Sequence, residues 1–441
     1  MSRARGLVLA GASSNAGKTT LTLALLRHLA RLGRRVASAK VGPDYIDPQF
    51  HAAASGQACL SLDPWAMRAE TLAGTVALFD SSADLVLCEG VMGLFDGIGA
   101  EGTGSTAALA ALTGWPVAIV LDVQGQASTA AAVLSGLVRH RGDIDVVGVI
   151  LNRVGSAAHA ATIAEACRRA LPDVAQLGWV ARSPDLKRPE RHLGLVQARE
   201  QPDLQIFLDR AADIVAGNLD IEALIGCMRP ATLASSRAPS PLPPLGQRIA
   251  VADDLAFAFA YPAILDGWRR AGAEIRPFSP LAGDAPDDDV DAVFLPGGYP
   301  ELHAGPLAAK GAWKNGLIAA GARGVPVYGE CGGYMALGRG LIDAAGIRHA
   351  MAGLLPVETS FAERKLHLGY RQGRLLVDCG LGRAGAVFRG HEFHYASVVG
   401  EAGGVPLFEA EDARGVPLGS VGRRVGSVFG SFLHMIDRQP A

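Results

Sequence analysis

The chain has 441 residues, of which 49% are apolar and 19% are charged, and its formal net charge is -2. Because a hydrophobic core rarely grows beyond about 250 residues before a chain divides, this length predicts two domains. The near balance of charge indicates no global preference for nucleic acid or for an anionic membrane, so binding partners have to be inferred from local sites.

Neither membrane insertion nor secretion is expected. The longest apolar stretch, residues 107–121, is interrupted by Thr-Gly-Trp-Pro and falls short of the roughly 20 continuous residues that span a bilayer. The apolar run after Arg3 and Arg5 is too short for a secretory signal, so a cytoplasmic location is expected. Cysteines without C-x-x-C spacing indicate neither a disulfide framework nor a zinc site. They are Cys59, Cys88, Cys167, Cys227, Cys331 and Cys379.

The first half of the chain alternates short β-rich runs with longer helical patterns. Strands are predicted at Gly6–Ala10, Val36–Val41, Leu85–Cys88, Val117–Leu121 and Val146–Leu151. Helical patterns lie between them, for example at Thr19–Leu32 and Ser128–Arg139. This alternation is typical of a parallel sheet covered by helices, and it predicts an α/β domain over residues 1–229.

A glycine-bounded loop follows the first predicted strand and leads into a helix. The residues expected to contact a nucleotide there are Gly11, Asn15, Gly17, Lys18, Thr19 and Thr20. Loop and helix amides would hold phosphate oxygens, the lysine would neutralise the β- and γ-phosphates, and the Thr19 hydroxyl would ligate Mg²⁺. Strand, loop, Gly-Lys-Thr and helix occur in the order that this chemistry needs, which favours a P-loop over a glycine turn with a surface lysine. The loop is one residue longer than the standard pattern and resembles that of dethiobiotin synthetases.

Acidic residues follow the second predicted strand and the Leu85–Cys88 strand. The candidates for contact with Mg²⁺ or substrate are Asp44, Asp47, Glu89 and Asp96. The carboxyl ends of parallel strands face one crevice, so these side chains are expected to converge on the phosphates. Mg²⁺ usually takes one or two carboxylates, and the predicted metal ligands are Thr19, Asp47 and Glu89. The aspartates lie beside Gly and Pro and are equally well explained as turn residues, whereas Glu89 ends an apolar strand.

Three further features of the first half have open interpretations. Asn152, at the end of a predicted strand, is assigned to the nucleotide site as a contact to the adenine edge, with capping of the next loop as the alternative. His51 is expected to be a solvated histidine. The run Arg-His-Leu-Gly-Leu-Val at residues 191–196 is expected either to meet an anionic substrate or to lie in solvent.

The composition changes at residues 230–247, where prolines and small polar residues predict a linker without a helix or a central strand. The alternation then restarts and predicts a second α/β domain over residues 248–441. Its predicted strands are Arg248–Ala252, Asp291–Leu295 and Val325–Tyr328, and its predicted helices are Tyr261–Arg270 and Leu307–Ala322.

The last of these strands enters a Gly-x-Cys-x-Gly turn around Cys331, and a helical sequence follows. This pattern predicts a nucleophile elbow, in which glycines relieve crowding and the helix N-terminus favours the thiolate. The amides of Gly332 and of Gly298, in a Pro-Gly-Gly loop, are the candidates for an oxyanion hole. The other five cysteines are better explained as structural residues.

A cysteine nucleophile needs a base, and the second half offers several histidines. The candidates are His367, His391, His394 and His434. We favour His434, because a β-rich run at residues 425–433 would carry it to a sheet edge. The competing cluster is the run at residues 389–394, which is otherwise explained as structural or as lining the path of ammonia or substrate.

Together these motifs resemble the cobyrinic and hydrogenobyrinic acid a,c-diamide synthase family, in which a dethiobiotin-synthetase-like ATP domain precedes a class I glutamine amidotransferase domain. The resemblance covers nearly the whole chain and includes the runs at residues 17–19, 42–48, 89–97, 191–196, 296–303, 329–333 and 430–434. It implies that ATP and Mg²⁺ convert carboxylates of a corrinoid to acyl phosphates. Ammonia released from L-glutamine at Cys331 would then attack them. It also implies that metal binding, carboxylate positioning or ammonia guidance falls to Asp44, Tyr45, Asp47, Glu89 and Asp96. A homodimer is a further expectation, with neither nucleic acid nor membrane as a partner.

Typical class I glutaminases carry His-Pro-Glu at the base, and the glutamate orients the imidazole. Here Met435 and Ile436 follow His434, so the resemblance implies a Cys-His dyad and leaves open what orients the ring. The run at residues 256–262 lacks the tyrosine pair and the asparagine of many cobalt-substrate members. This difference favours a cobalt-free substrate.

Three alternatives compete with this interpretation. A related amidoligase, such as cobyric acid synthase or the diamide synthase acting on nickel sirohydrochlorin, would differ only in substrate contacts. A nucleotide-switched ATPase of the MinD and ParA type usually has an additional lysine early in the loop, where this chain has Ser13 and Ser14, and has no reason to carry a glutaminase. A glutaminase-like domain that only acts as a scaffold is disfavoured by the presence of Cys331 and His434.

Overall fold

The computed structural model describes residues 3–186, 196–234 and 239–440. The chain divides into two compact units, one made of Met1–Trp65 and Leu72–Ala238 and the other of Ala66–Thr71 and Pro239–Ala441. A short segment of the first half therefore belongs to the second unit, which the contiguous boundaries predicted from sequence did not include. Of the run at residues 191–196, only Val196 lies within the described residues.

The first unit alternates strands and helices along the chain. Its strands are β1 (Arg5–Gly11), β2 (Val36–Val41), β3 (Leu60–Leu62), β4 (Leu85–Glu89), β5 (Val117–Asp122), β6 (Val146–Val154), β7 (Ala175–Ala181) and β8 (Arg229–Pro230). The helices that begin before residue 239 are α1 (Lys18–Arg31), α2 (Asp47–Ser55), α3 (Ala69–Ser82), α4 (Thr106–Thr113), α5 (Thr129–Arg139), α6 (Ala157–Ala170), α7 (Leu204–Asn218) and α8 (Ile221–Cys227).

These strands form a sheet in the order β3-β2-β4-β1-β5-β6-β7. All neighbours in that order run parallel. The central strands β2 and β4 are buried along their whole length, as expected for continuous apolar runs in a parallel sheet that is covered on both faces. Since β2, β4 and β1 are neighbours, the loops that leave their carboxyl ends start side by side.

The second unit contains a larger set of strands. They are β9 (Arg248–Ala252), β10 (Glu274–Phe278), β11 (Ala292–Leu295), β12 (Val327–Glu330), β13 (Gly340–Ile342), β14 (Arg348–Ala350), β15 (Val357–Ser360), β16 (His367–Leu375), β17 (Val387–His394), β18 (Ser397–Glu401), β19 (Val405–Asp412), β20 (Pro417–Val425), β21 (Val428–Ser431) and β22 (His434–Arg438). Its helices are α9 (Pro262–Arg270), α10 (Ala304–Ala309), α11 (Gly311–Ala322) and α12 (Gly332–Leu337).

The main sheet of this unit has the order β10-β9-β11-β12-β21-β20-β19-β16-β17-β22. The first five strands run parallel and the remaining pairs are antiparallel. On the parallel part, Tyr328 stacks between Phe294 and Phe429, with ring centroids 5.5 and 5.1 Å apart. A smaller sheet has the order β14-β13-β15-β18. This unit is therefore a parallel α/β core extended by a large antiparallel region.

The segment Ala66–Thr71 is attached to the last strand of the main sheet. The backbone N–H of Arg68 donates to Asp437 Oδ2 at 2.7 Å, and its Nη2 donates to Asp437 Oδ1 at 2.9 Å. Gln439 Nε2 donates to the carbonyl oxygen of Ala66 at 2.9 Å. The aspartate is fully buried, so β22 is fastened by a charged and backbone-anchored pair.

The α/β class predicted from sequence is confirmed for both units, but one predicted helix was wrong. The predicted helix Leu307–Ala322 is divided into α10 and α11 at Lys310, whose backbone is extended, and Gly311 favours the interruption because glycine is a poor helix former. Residues Arg229–Pro230, at the start of the predicted linker, form a short strand paired with β1. Among the described residues, no helix is both long and apolar enough to cross a membrane.

Candidate active sites

The glycine-bounded loop connects β1 to α1. Asn15 and Gly17 have positive φ angles of 61° and 97°, and α1 begins at Lys18 directly after the glycine. A β-carbon on Gly17 would lie 2.1 Å from Asn152 Nδ2, so both its conformation and its surroundings require glycine. The strand, loop and helix therefore have the arrangement of a phosphate-binding loop.

The Lys18 side chain is buried within this loop. Its Nζ donates to the carbonyl oxygen of Ser13 at 3.0 Å and to that of Met92, in the loop after β4. Burial lowers the pKa of Lys18, although nearby carboxylates, Glu89 first among them, oppose that shift. The ammonium is thus held at the loop by two carbonyls.

Asn152 braces the loop from β6. Its Nδ2 donates to the carbonyl oxygen of Ala16 at 2.8 Å, and the side chain is buried. The strand continues to Val154, so Asn152 lies inside β6 and not at its end. The sequence interpretations considered an adenine contact or a cap, whereas the observed contact holds the phosphate loop.

The three predicted metal ligands come together at the carboxyl ends of β2 and β4. The Thr19 hydroxyl bonds to Glu89 Oε1 and lies 3.3 Å from Asp47 Oδ2. The Nζ of Lys40 donates to the same two oxygens, at 2.7 Å to Glu89 and 2.8 Å to Asp47. Lys40 was not identified as a site residue from sequence, although it ends the buried strand β2 beside the acidic run.

The buried charges in this cluster keep each other ionised. Burial alone would raise the pKa of Glu89, but Lys40 and His51 hold it below its usual value. Burial would likewise lower the pKa of Lys40, but Asp47, Glu89 and Asp44 together raise it above its usual value. The cluster is therefore a set of oppositely charged side chains that are paired and largely buried.

His51 is part of this cluster, and the expectation of a solvated histidine is wrong. The side chain is fully buried, its Nε2 lies 2.6 Å from Glu89 Oε2, and its Nδ1 lies 3.4 Å from Cys59 Sγ. Burial would lower the pKa of His51, but Cys59 and Glu89 raise it to about 10. One signal was available: His51 follows Asp47 by four residues on α2, so both lie on the same helix face.

The other acidic candidates also close turns. Asp44 Oδ1 accepts from the N–H groups of Ile46 and Asp47 at the start of α2, and its Oδ2 lies 4.0 Å from Lys40. Asp96 is exposed and accepts from the N–H of Gly93 at 2.8 Å. Tyr45, which follows Asp44, is buried. The contacts of Asp44 and Asp96 match the alternative interpretation as turn residues, and those of Asp44 also place it at the charged cluster.

In the second unit, Cys331 lies on a strained turn between β12 and α12. Its φ of 47° and ψ of -106° are unusual for a residue with a side chain. A β-carbon on Gly333 would lie 2.0 Å from the carbonyl oxygen of Leu295, and one on Gly329 would lie 2.7 Å from the backbone of Gly333. The flanking glycines thus permit the tight turn of a nucleophile elbow.

The Cys331 thiol is buried and uncharged in this state. Its Sγ lies 3.9 Å from the carbonyl oxygen of Phe393, and burial raises its pKa well above the usual range, with nearby carboxylates, Glu301 first among them, adding to the shift. The expectation that the helix N-terminus favours the thiolate is wrong here. The helix has six residues, and burial outweighs the hydrogen bond from the Gly332 amide.

The two glycines predicted for the oxyanion hole pack against each other. A β-carbon on Gly332 would lie 3.0 Å from the amide nitrogen of Gly298 and 2.8 Å from Pro300. A β-carbon on Gly298 would lie 1.9 Å from the carbonyl oxygen of Ala256. The loop after β11 and the turn at Cys331 therefore meet closely, with the Gly298 backbone and the Pro300 ring against Gly332.

His434 begins β22, at the edge of the main sheet, opposite His391 of β17. Its ring lies against the loop after β11, because a β-carbon on Gly297 would lie 2.2 Å from His434 Cε1. The antiparallel region thus curls back to the parallel core. Burial, with the charges of His391 and His394, lowers the pKa of His434 to about 3, so the ring is a neutral base.

The competing histidines are differently engaged. His394 Nδ1 lies 2.8 Å from the carbonyl oxygen of Ala396, its Nε2 lies 2.9 Å from Glu392, and its ring stacks between Phe432 and His367. Glu392 also accepts from Arg371. A cavity of about 380 Å³ is lined by His367, Glu392, His394 and Phe432, among other residues. Both ring nitrogens of His394 are thus occupied, which disfavours it as the base.

Comparison with known proteins agrees with this geometry. Residues 7–196 match the CobQ/CobB/MinD/ParA nucleotide binding domain, and residues 248–441 match the CobB/CobQ-like glutamine amidotransferase domain. The hydrogenobyrinate a,c-diamide synthase of Brucella abortus is 51% identical over 98% of both chains. The chain belongs to the hydrogenobyrinate a,c-diamide synthase family. The family enzyme of Mesorhizobium japonicum is 49% identical over 99% of this chain and 100% of its own length, and that of Rhizobium meliloti is 50% identical over 98% and 99%.

Proposed function

We propose that this protein uses ATP and glutamine to convert the a and c acetate carboxylates of hydrogenobyrinic acid into primary amides. It is a glutamine-hydrolysing carbon–nitrogen ligase, with ADP, phosphate and glutamate as the other products. The observation that carries the proposal is the presence, in one chain, of a charged cluster at a phosphate loop and of a strained, buried cysteine whose turn packs against the same Gly297–Gly298 loop as the neutral ring of His434. Relatives named for this reaction match almost the whole chain.

At the nucleotide site, the loop amides would hold the phosphates. The residues assigned to the nucleotide are Gly11, Asn15, Gly17, Lys18, Thr19 and Thr20, with Asn152 bracing the loop from behind. When ATP enters, Lys18 would exchange its two carbonyl partners for phosphate oxygens. The buried Lys18 ammonium would then be paired with negatively charged phosphate oxygens in place of neutral carbonyls.

The oxygen atoms of Thr19, Asp47 and Glu89 fit a magnesium ion. They are hard ligands, two of them are carboxylates that already share the Lys40 ammonium as a common cation, and the Thr19 hydroxyl contacts both carboxylates. A bound Mg²⁺ would neutralise charge on the β- and γ-phosphates during phosphoryl transfer. His51 would keep Glu89 oriented through its other oxygen.

The substrate carboxylate would receive the γ-phosphoryl group next to this cluster. We assign Asp44, Tyr45, Asp47, Glu89 and Asp96 to this region, where they would position the carboxylate or guide ammonia. Lys40 adds a permanent positive charge at the same place. The resulting acyl phosphate is attacked by ammonia, and phosphate leaves.

In the second unit, His434 would take the proton from the Cys331 thiol as the thiolate attacks the carboxamide carbon of glutamine. The amides of Gly298 and Gly332 would donate to the oxyanion that forms. The leaving ammonia takes the proton from His434, and a thioester remains. Water, deprotonated by His434, then hydrolyses the thioester to glutamate and restores the thiol.

A homodimer and a cytoplasmic location remain predictions from the sequence.

The test is to supply purified protein with ATP, Mg²⁺ and amide-labelled glutamine, together with either hydrogenobyrinic acid or cobyrinic acid. We expect two labelled amides on hydrogenobyrinic acid, counted by mass spectrometry, and none on the cobalt-containing acid. Reactions without ATP are the control. Amidation of cobyrinic acid alone would contradict the assigned substrate, and no amidation of either acid would contradict the proposed reaction.

A further inference from the structure

Glu330 is a buried carboxylate with no role in the proposed reaction so far. It ends β12, directly before the nucleophile, and is 2% exposed. Its Oε1 accepts from the Tyr328 hydroxyl at 2.7 Å and from the backbone N–H of Met435 at 3.1 Å. One oxygen is therefore fixed by two donors, and one of those donors is on the residue that follows His434.

The second oxygen of Glu330 faces the imidazole. Its Oε2 lies 3.9 Å from His434 Nδ1. That separation is longer than the roughly 2.6–3.2 Å of a catalytic hydrogen bond, but such bonds are often long before substrate binds and tighten in the complex. A movement of about 1 Å by either side chain would form the bond.

The support behind Glu330 is rigid. The Tyr328 ring is fully buried and stacks between two other rings, so its hydroxyl is held in one place. The Met435 amide belongs to β22, so the carboxylate also ties the strand of His434 to the strand of Cys331. Glu330 therefore holds the backbone that carries His434, and its second oxygen lies on the Nδ1 side of the ring.

We propose that Glu330 positions His434, accepting a hydrogen bond from Nδ1–H so that Nε2 is the nitrogen that takes the thiol proton. It would do from the residue before the nucleophile what the glutamate of His-Pro-Glu does in typical class I glutaminases. The inference rests on the proposed glutaminase function. When the proton moves from Cys331 to His434, a buried imidazolium forms, and the Glu330 carboxylate offsets that charge.

The ionisation of Glu330 gives the role a measurable pH dependence. Burial raises the pKa of Glu330 to about 7, although the hydrogen bonds from Tyr328 and Met435 oppose the shift. Below that pH the carboxyl is neutral and a weaker acceptor for Nδ1–H. Among the described residues, the titratable groups that act on Glu330, Tyr328, Cys331 and His434, beyond these four themselves, are His391, His394, Glu392, Glu301 and Cys379. Glutamine hydrolysis is therefore expected to rise with pH through about 7.

The experiment measures kcat and KM for glutamine hydrolysis against pH in Glu330→Gln. The amide still accepts from Tyr328 and Met435, but it cannot offer a carboxylate to His434. We expect kcat to fall about 10²-fold or more with KM little changed, and the rise through neutral pH to disappear. Synthesis with added ammonia should be retained. Glu358→Gln, which alters a glutamate paired with Arg348 near the surface of the same unit, is the matched control and should behave as wild type.

A second variant gives the test an independent arm. Tyr328→Phe removes a donor that lowers the pKa of Glu330, so the rise in hydrolysis should shift to higher pH. If Glu330→Gln fails to fold, this shift carries the test, and an unshifted profile overturns the inference. Wild-type kcat and pH profile in a folded Glu330→Gln would also overturn it. If the wild-type protein itself releases no glutamate, the proposed function fails instead.

Discussion

The two sites of this protein treat buried ionisable groups in opposite ways. At the phosphate loop, burial is accompanied by pairing, so that Lys40, Glu89 and His51 all stay charged. At the elbow, burial prevails, so that the Cys331 thiol and the His434 imidazole stay neutral. Removing a charge from water is costly at both sites, but opposite charges offset that cost at the phosphate loop, whereas the groups at the elbow avoid it by staying neutral.

The difference follows from what each site has to hold. A triphosphate with its metal is highly charged, and fixed opposite charges bind it without waiting for protonation to change. A glutaminase that carried a permanent thiolate would be open to oxidation, alkylation or wasted hydrolysis. A neutral thiol and a neutral base form the reactive ion pair only when a carboxamide is there to take the electrons.

The largest expected effect is that of Cys331→Ser. Glutamine-dependent amidation should fall by at least about 10³-fold, because the proposed nucleophile is gone, while activity with added ammonia should remain. Both rates are measured as amide formation on the corrinoid. Loss of the ammonia-dependent reaction as well would show that the two sites do not divide the chemistry as proposed.

Lys18→Ala is expected to act on the other site alone. Losing the ammonium at the phosphates should lower ligation about 10²-fold or more with either nitrogen source, while basal glutamine hydrolysis is kept. ADP release and glutamate release are followed in parallel. Full ligation in this variant would be incompatible with the assigned ATP site.

The stability of Glu330→Gln should depend on pH. In the folded wild-type protein the pKa of Glu330 is about 7, above the usual 4.5. The stability that the protonated carboxyl contributes to the wild type is therefore fully present below pH 4.5 and is lost as pH rises to about 7. Above pH 7 the variant should be more stable than wild type by up to about 3 kcal/mol, with no gain at the acidic end. Thermal unfolding at both ends of this range measures the difference. An advantage that is the same at every pH would rule out titration as its cause.

Asn152→Ala should give the smallest change. Removing one buried donor leaves the Ala16 carbonyl unsatisfied and loosens the phosphate loop, at a cost of about 1 kcal/mol. That corresponds to a rise of about fivefold in KM for ATP. Unchanged ATP kinetics would show that the contact does not matter for nucleotide binding.

Most strands of the parallel cores could be predicted from sequence because they are continuous apolar runs, whereas β3, β7 and β10 were not predicted. Val36–Val41 and Arg248–Ala252 were predicted with the bounds that the structure shows. The antiparallel region was missed because its strands are half exposed and rich in Arg, Gly and Glu. Strand β16, with the sequence HLGYRQGRL, has one buried residue before its last position, and neither its composition nor its period distinguishes it from a loop.

The candidate sites show the same division. Lys18, Thr19 and Cys331 were predictable because their chemistry is written in short motifs. Lys40, His51 and Glu330 were not, because each acts through a partner far away in sequence: Lys40 and His51 through Glu89, and Glu330 through His434. The raised pKa of the Cys331 thiol was also missed, because a short motif gives no information about burial.

The attachment of Arg68 to Asp437 has a consequence for how such a protein can evolve. A polypeptide made of residues 239–441 alone would lose the guanidinium that neutralises a fully buried aspartate three residues after His434. Separating the two halves into independent genes at the linker would therefore leave the amidotransferase half with an unmatched interior charge. The Arg68–Asp437 pair on β22 thus favours keeping the two halves in one chain, in addition to any benefit from delivering ammonia within one molecule.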